Sequence, residues 1–154
     1  MAFQSSSNEN LQRLAERGLL RPEPASRDEV QGFLVDANES LEDARNKALR
    51  PASRFRLAYA AAHDLALIAL RAHDFRPAQG PGHRTIVFQT LEHTVGADKA
   101  IVVTLSKAHA RRNASDYEGR VTVSDAEVRD LITVTEKLSG LVRAWLAKSR
   151  PDLV

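Results

Sequence analysis

The sequence predicts an all-α protein, an antiparallel up-and-down bundle of five to six helices. Three observations carry this expectation. Apolar residues recur at helical spacing along most of the chain, Ser-x-x-Glu capping boxes stand at Ser26 and Ser124, and prolines and glycines punctuate the intervening segments. Connections of a few residues favour antiparallel helical neighbours, and no strand pair or internal repeat is expected. An α/β chain would need parallel strands that the sequence does not supply.

Residues 8–20 place Leu11, Leu14, Ala15 and Leu19 on one face, with Gly18 near the end and Pro22 and Pro24 closing the segment. In Ser26-Arg27-Asp28-Glu29 the hydroxyl and the carboxylate cap each other's backbone amides. Val30, Phe33, Leu34, Ala37, Leu41 and Ala44 follow on one stripe, so a second helix runs to about residue 48. Pro51 suits the first turn of a third helix, where its missing amide hydrogen would have had no partner. That helix is apolar nearly all round, from Phe55 to Leu70, and belongs at the centre of the bundle or at a subunit interface. Residues 76–82 read as a loop from their glycines and prolines.

Residues 84–95 read as a short helix, although their β-branched residues also suit a strand. Ile101, Val102, Leu105 and Ala108 mark a helix over 98–113 that ends in a basic run. The box Ser124–Glu127 opens the last helix, which carries Val128, Leu131, Leu138, Val142 and Trp145 and stops near Lys148, before Pro151. The expected organisation is a single domain over 8–148, with a disordered N-terminal tail at 1–7 and a C-terminal tail at 149–154.

A chain of 154 residues, 43% hydrophobic and 27% charged, is large enough for one core and too apolar for general disorder. It has no cysteine, which excludes disulfides and thiolate chemistry. The first residues lack the basic and apolar regions of a secretory signal, and no apolar run is long enough to span a membrane, so a cytoplasmic protein without membrane association is expected. Lys and Arg number 22 against 20 Asp and Glu, and a net charge of +2 says little about nucleic acid. Local clustering matters more. The histidines at 63, 73, 83, 93 and 109 have no metal-site spacing, and Gly80-Pro81-Gly82 lacks the Lys-Ser/Thr pair of a phosphate loop, so neither metal nor cofactor is expected.

The densest cluster is Lys107 to Tyr117. It has a structural explanation: arginines complement a helix C-terminus, Asn113 caps it and Asp116 starts a turn. It also has a functional one. Arg111 or Arg112 offers a planar guanidinium to a phosphate, with Asn113, Asp116 and Tyr117 orienting it or the ligand. Tyr117 is the one aromatic residue inside the basic cluster, and His83, in a Gly-Pro-Gly-His loop, is placed to meet a ligand.

Taken together, Ser53-Arg54-Phe55-Arg56-Leu57-Ala58-Tyr59 continuing to His63, the loop through Gly82-His83, and Arg112-Asn113 with Asp116-Tyr117-Glu118-Gly119 resemble the HEPN superfamily over roughly residues 8–148. The resemblance implies a helical bundle, commonly a homodimer, with the polar motif near the subunit interface. It also implies a setting beside nucleotidyltransferases or in toxin–antitoxin and defence systems, with a nucleotidyltransferase-type protein as a possible partner. Many members are metal-independent endoribonucleases that use an Arg followed after four to six residues by His. Here no histidine follows Arg112, and Asp116 stands near its place. The expectation is therefore a binding or accessory protein holding RNA, a nucleotide or a protein partner near Arg111, Arg112, Asn113, Asp116, Tyr117 and His83. The alternative is an endoribonuclease with Arg112 and Asp116 as catalytic residues. Arg56 to His63 and Arg76 to His83 also have the bare Arg–His spacing, but neither matches the motif's position, and His63 reads as a core or interface histidine.

Overall fold

The computed structural model describes residues 2–80, 83–118 and 122–154, with side chains described for 9–80, 84–114 and 122–154. The chain is mostly helical. Its elements are α1 (Ala2–Glu16), β1 (Leu20–Pro22), α2 (Arg27–Ala44), α3 (Pro51–Arg71), β2 (Phe75–Pro77), α4 (His83–Gln89), α5 (Leu91–Thr94), α6 (Lys99–Glu118), α7 (Asp125–Ser149) and a final 3-10 turn (Pro151–Leu153). No helix among the described residues is long and apolar enough to cross a membrane.

Local chemistry sets the helix starts. Ser26 accepts from the Glu29 amide while the Glu29 carboxylate accepts from the Ser26 amide, a complete capping box at the head of α2. Ser124 does the same for the Glu127 amide at the head of α7. Pro51 occupies the first turn of α3. Arg54 of α3 donates to the Ala44 carbonyl at 2.7 Å, satisfying an otherwise orphaned group at the end of α2.

α3 lies in the middle of the core. Its buried residues, among them Phe55, Tyr59, Ala62, Leu65, Ile68 and Leu70, meet α2 and α7, and α4, α5 and α6 also pack on it. Contacts within a single chain thus account for an apolar surface that the sequence also allowed at a subunit interface. The buried threonines Thr90 and Thr135 donate to the Ile86 and Leu131 carbonyls one turn back, at 2.9 and 2.7 Å, so neither leaves an unsatisfied hydroxyl in the core.

Four features depart from the sequence reading. A strand pair is present: β1 and β2 are antiparallel, with Leu20 opposite Pro77 and Pro22 opposite Phe75. Its prolines, which argue for loops, stand at strand ends of a two-stranded ribbon whose outer edges need no amide donor. Residues 84–95 form two helices, α4 and α5, instead of one. α1 begins at Ala2, ahead of residue 8. α6 runs past residue 113 to Glu118, because no glycine or proline interrupts it there.

Two arginines fasten the irregular segments. Arg71 is only 3% exposed and all five of its donors are used. It bonds both carboxylate oxygens of Glu29, at 2.7 and 3.1 Å, and the carbonyls of Glu23, Pro24 and Phe75. Arg150 donates to the Ala72 carbonyl at 2.7 Å and pairs with Asp152 and Asp74. Asp74 itself has a left-handed backbone, φ 62°, and its carboxylate accepts from the Ala25 amide at 3.0 Å. Leu153 is buried and its carbonyl accepts from Gln31, so residues expected as a tail pack against α2.

Candidate functional site

Adjacent residues on a helix point about 100° apart, and this divides the basic cluster of α6. Arg111 faces α7, where it pairs with Glu127 at 2.9 Å and donates to the Thr122 carbonyl. The hydrogen bond from Arg111 is the leading reason why the Glu127 carboxyl is held below its usual range. Arg111 thus ties the end of α6 to the start of α7, alongside the Ser124 cap.

Arg112 faces the other way, over the ring of Tyr59, with its guanidinium carbon 5.1 Å from the ring centroid. Here α3, α4 and α6 enclose a cavity of about 220 Å³ lined by Arg56, Tyr59, His63, Asp64, Arg84 and Arg112. Arg56, Tyr59 and His63 recur at helical spacing, so one face of α3 brings all three to the same wall. Among the described residues, three arginines thus line one cavity together with one carboxylate.

A part-buried polar chain adjoins that wall. Tyr59, 2% exposed, lies with its hydroxyl 2.8 Å from His109 Nδ1, and the Asn113 side-chain amide lies 3.2 Å from His109 Nε2. Thr85 of α4 reaches the same Nε2 at 3.3 Å. With the Asn113 amide donating to Nε2, the ring hydrogen lies on Nδ1 and is donated to the Tyr59 oxygen. Burial, and next the charges of Arg112 and Arg84, lower the His109 pKa, which keeps the ring neutral near pH 7. Phe88 of α4 is the common packing partner, with its ring centroid 5.9 Å from Tyr59, 6.0 Å from His63 and 6.4 Å from His109.

Asp64 is strongly perturbed. Burial pushes its carboxyl up to about 6, and Asp36 on α2 adds to the rise. Because the folded value lies above the unfolded one, the contribution of Asp64 to stability is fully present below pH ~4 and is lost as pH rises through about 6. The side chain is half-exposed and solvent screens most of this effect, so Asp64→Asn stabilises the chain at pH 7 by about 1 kcal/mol. Thermal melts of the two proteins should coincide near pH 4 and separate by ~2–4 °C at pH 7; no separation at pH 7 refutes the assignment.

The sequence-predicted residues fare unequally. Arg112 and Asn113 are brought to the cavity and its supporting chain, whereas Arg111 is not. Asn113 does not cap a helix end, since α6 continues beyond it and its amide serves His109. Asp116 and Tyr117 belong to the last turns of α6 and His83 to the first residue of α4, and all three side chains lie outside the described residues. His63, by contrast, is half-buried and lines the cavity with Arg112, a partnership that sequence reasoning missed. Arg56, Tyr59, Asp64, Arg84 and His109 were missed as well. The usable signal was the Arg56–Tyr59–His63 spacing on one helix face; which helices cover that face is a long-range matter.

Among the described residues, no group of three or more His, Asp or Glu side chains is placed to hold a metal ion. No family model, curated protein or solved structure matches the chain.

Proposed function

We propose that the chain is a HEPN-like helical bundle that binds the phosphate of RNA or of a nucleotide in the cavity between α3, α4 and α6. The observation that carries this reading is that Arg56, Arg84 and Arg112 line one cavity of about 220 Å³, with Asp64 the one carboxylate among the described lining residues. Guanidiniums present paired donors that match phosphate oxygens, and the half-buried setting of Arg112 strengthens its contact relative to water. Arg112 is also pre-positioned by its contact with the Tyr59 ring, which reduces the ordering cost of binding. By the same family resemblance the protein acts as a homodimer in a toxin–antitoxin or defence setting, with a nucleotidyltransferase-type partner.

The test is binding of a labelled single-stranded RNA over a range of salt concentrations. Arg112→Ala and Arg84→Ala should each weaken binding by about tenfold or more. Each should also reduce the salt slope by ~0.7 per lost phosphate contact. Arg111→Ala, which removes the bonds to Glu127 and to the Thr122 carbonyl but no group lining the cavity, should leave binding within about twofold. Equal loss in all three variants, or in none, refutes the site.

A second reading, a metal-independent endoribonuclease, is favoured by one observation. Asp64, which keeps its proton up to about pH 6, and His63 share the cavity with Arg112. One group can take the ribose 2′-hydroxyl proton while the other gives a proton to the departing 5′-oxygen, leaving a 2′,3′-cyclic phosphate and a 5′-hydroxyl. The arginines would stabilise charge on the phosphorane. The same RNA, recovered intact from metal-free incubation, refutes this reading and leaves the binding role standing.

A further inference from the structure

His63 walls two cavities. It also lines a space of about 270 Å³ bounded by Leu67 of α3, Val87 of α4 and Arg76 to Gly80, the end of β2 and the residues after it. The two cavities differ in character. The first gathers three guanidiniums. In the second, Arg76 is matched by Glu23 at 2.8 Å, and Leu67, Pro77, Ala78 and Val87 supply apolar surface. Gln79 adds a side-chain amide, which offers both a donor and an acceptor in one plane.

We propose that this second cavity is a base-binding subsite: the chain takes a nucleoside phosphate with its phosphate among Arg56, Arg84 and Arg112 and its heterocycle between α3 and the segment Arg76 to Gly80. The proposal rests on the phosphate-binding reading above and extends it. Volume supports one ligand spanning both spaces. At about 220 and 270 Å³, each cavity falls below the ~300–1,000 Å³ of ordinary small-molecule sites, and the two in series fall within it. Chemistry supports the same ligand, because a nucleoside phosphate joins an anionic head to a flat, uncharged ring whose edge is read by hydrogen bonds and whose faces prefer apolar contact. The far wall is anchored for this role. The Ala78 amide donates to the Leu19 carbonyl at 3.1 Å, continuing the β1–β2 pairing, which fixes the backbone just before Gln79. Gly80 follows at φ 129°, a conformation that residues with a side chain rarely adopt.

Such a unit can be a free nucleotide or part of an RNA, and calorimetry on the full chain separates the two sources. One arm compares the four nucleoside monophosphates with ribose 5-phosphate and inorganic phosphate; the other compares a short single-stranded RNA with an abasic strand of equal length. In at least one arm the ligand bearing bases should bind tenfold or more tightly. Ala78→Phe, which fills the second cavity while keeping the backbone bond, should erase that gain and leave ribose 5-phosphate or the abasic strand unaffected. Gln79→Ala, at an exposed position, should change the ranking among bases. If bases add nothing in either arm while phosphate still binds, the subsite is overturned and the phosphate site stands. If neither phosphate nor any other probe binds, both are overturned.

Discussion

Arg71→Met should lower the stability of the fold by about 3–5 kcal/mol, the cost of breaking a buried ion pair from one side. The methionine fills similar volume, so the loss is one of bonding: Glu29 and the carbonyls of Glu23, Pro24 and Phe75 forfeit their donors together. For a chain of this length the melting temperature falls by roughly 10 °C or more. Arg71→Lys keeps the charge but offers three donors in place of a five-donor fork, and should fall between the two. The pH dependence gives a second check. The hydrogen bond from Arg71 is the main reason that the Glu29 carboxyl is held below its usual range, so its contribution is present above pH ~4.5 and is lost as pH falls through the depressed value. Acid sensitivity should therefore be weaker in Arg71→Met. A loss below about 1 kcal/mol, or an unchanged acid profile, would show that the network does not hold the fold.

Phe88→Ala should cost about 3–5 kcal/mol, because the ring is fully buried and its removal opens a cavity in the core. The consequence extends beyond stability. Tyr59, His63 and His109 all rest on this ring, so its loss loosens the wall that sets Arg112 over Tyr59. Urea unfolding should show a lower midpoint with an unchanged slope. RNA binding should weaken even where the variant is fully folded. Phe88→Leu, which keeps more of the volume, should lose less on both counts. A variant equally destabilised but binding normally would separate the ring from the site.

Much of the helical framework was legible because it depends on neighbours in sequence. The capping box at Ser26, the side-chain cap at Ser124 and the proline at the head of α3 each stand where local chemistry requires them. Long-range features were less accessible. Arg71 lies at a helix end, and nothing local shows that three carbonyls from two other segments converge on it. The β1–β2 ribbon was hidden for a similar reason: three residues on each side carry no periodicity, and their prolines point the other way. At the site, helical geometry alone separates Arg111 from Arg112. It does not say that α7 receives one and α3 and α4 the other. His63 was set aside because it failed a linear motif, whereas the cavity assembles Arg112 and a histidine from different helices.

Asp74 carries a lesson for redesign. Its backbone angle of 62° is one that costs a residue with a side chain ~1 kcal/mol and glycine almost nothing. A survey of dihedral angles alone would nominate glycine there as a stabilising replacement. Yet the Asp74 carboxylate receives the Ala25 amide ahead of α2 and the Arg150 guanidinium near the chain's end. The side chain justifies the awkward backbone, and a substitution chosen to relax one backbone dihedral would unfasten two distant segments.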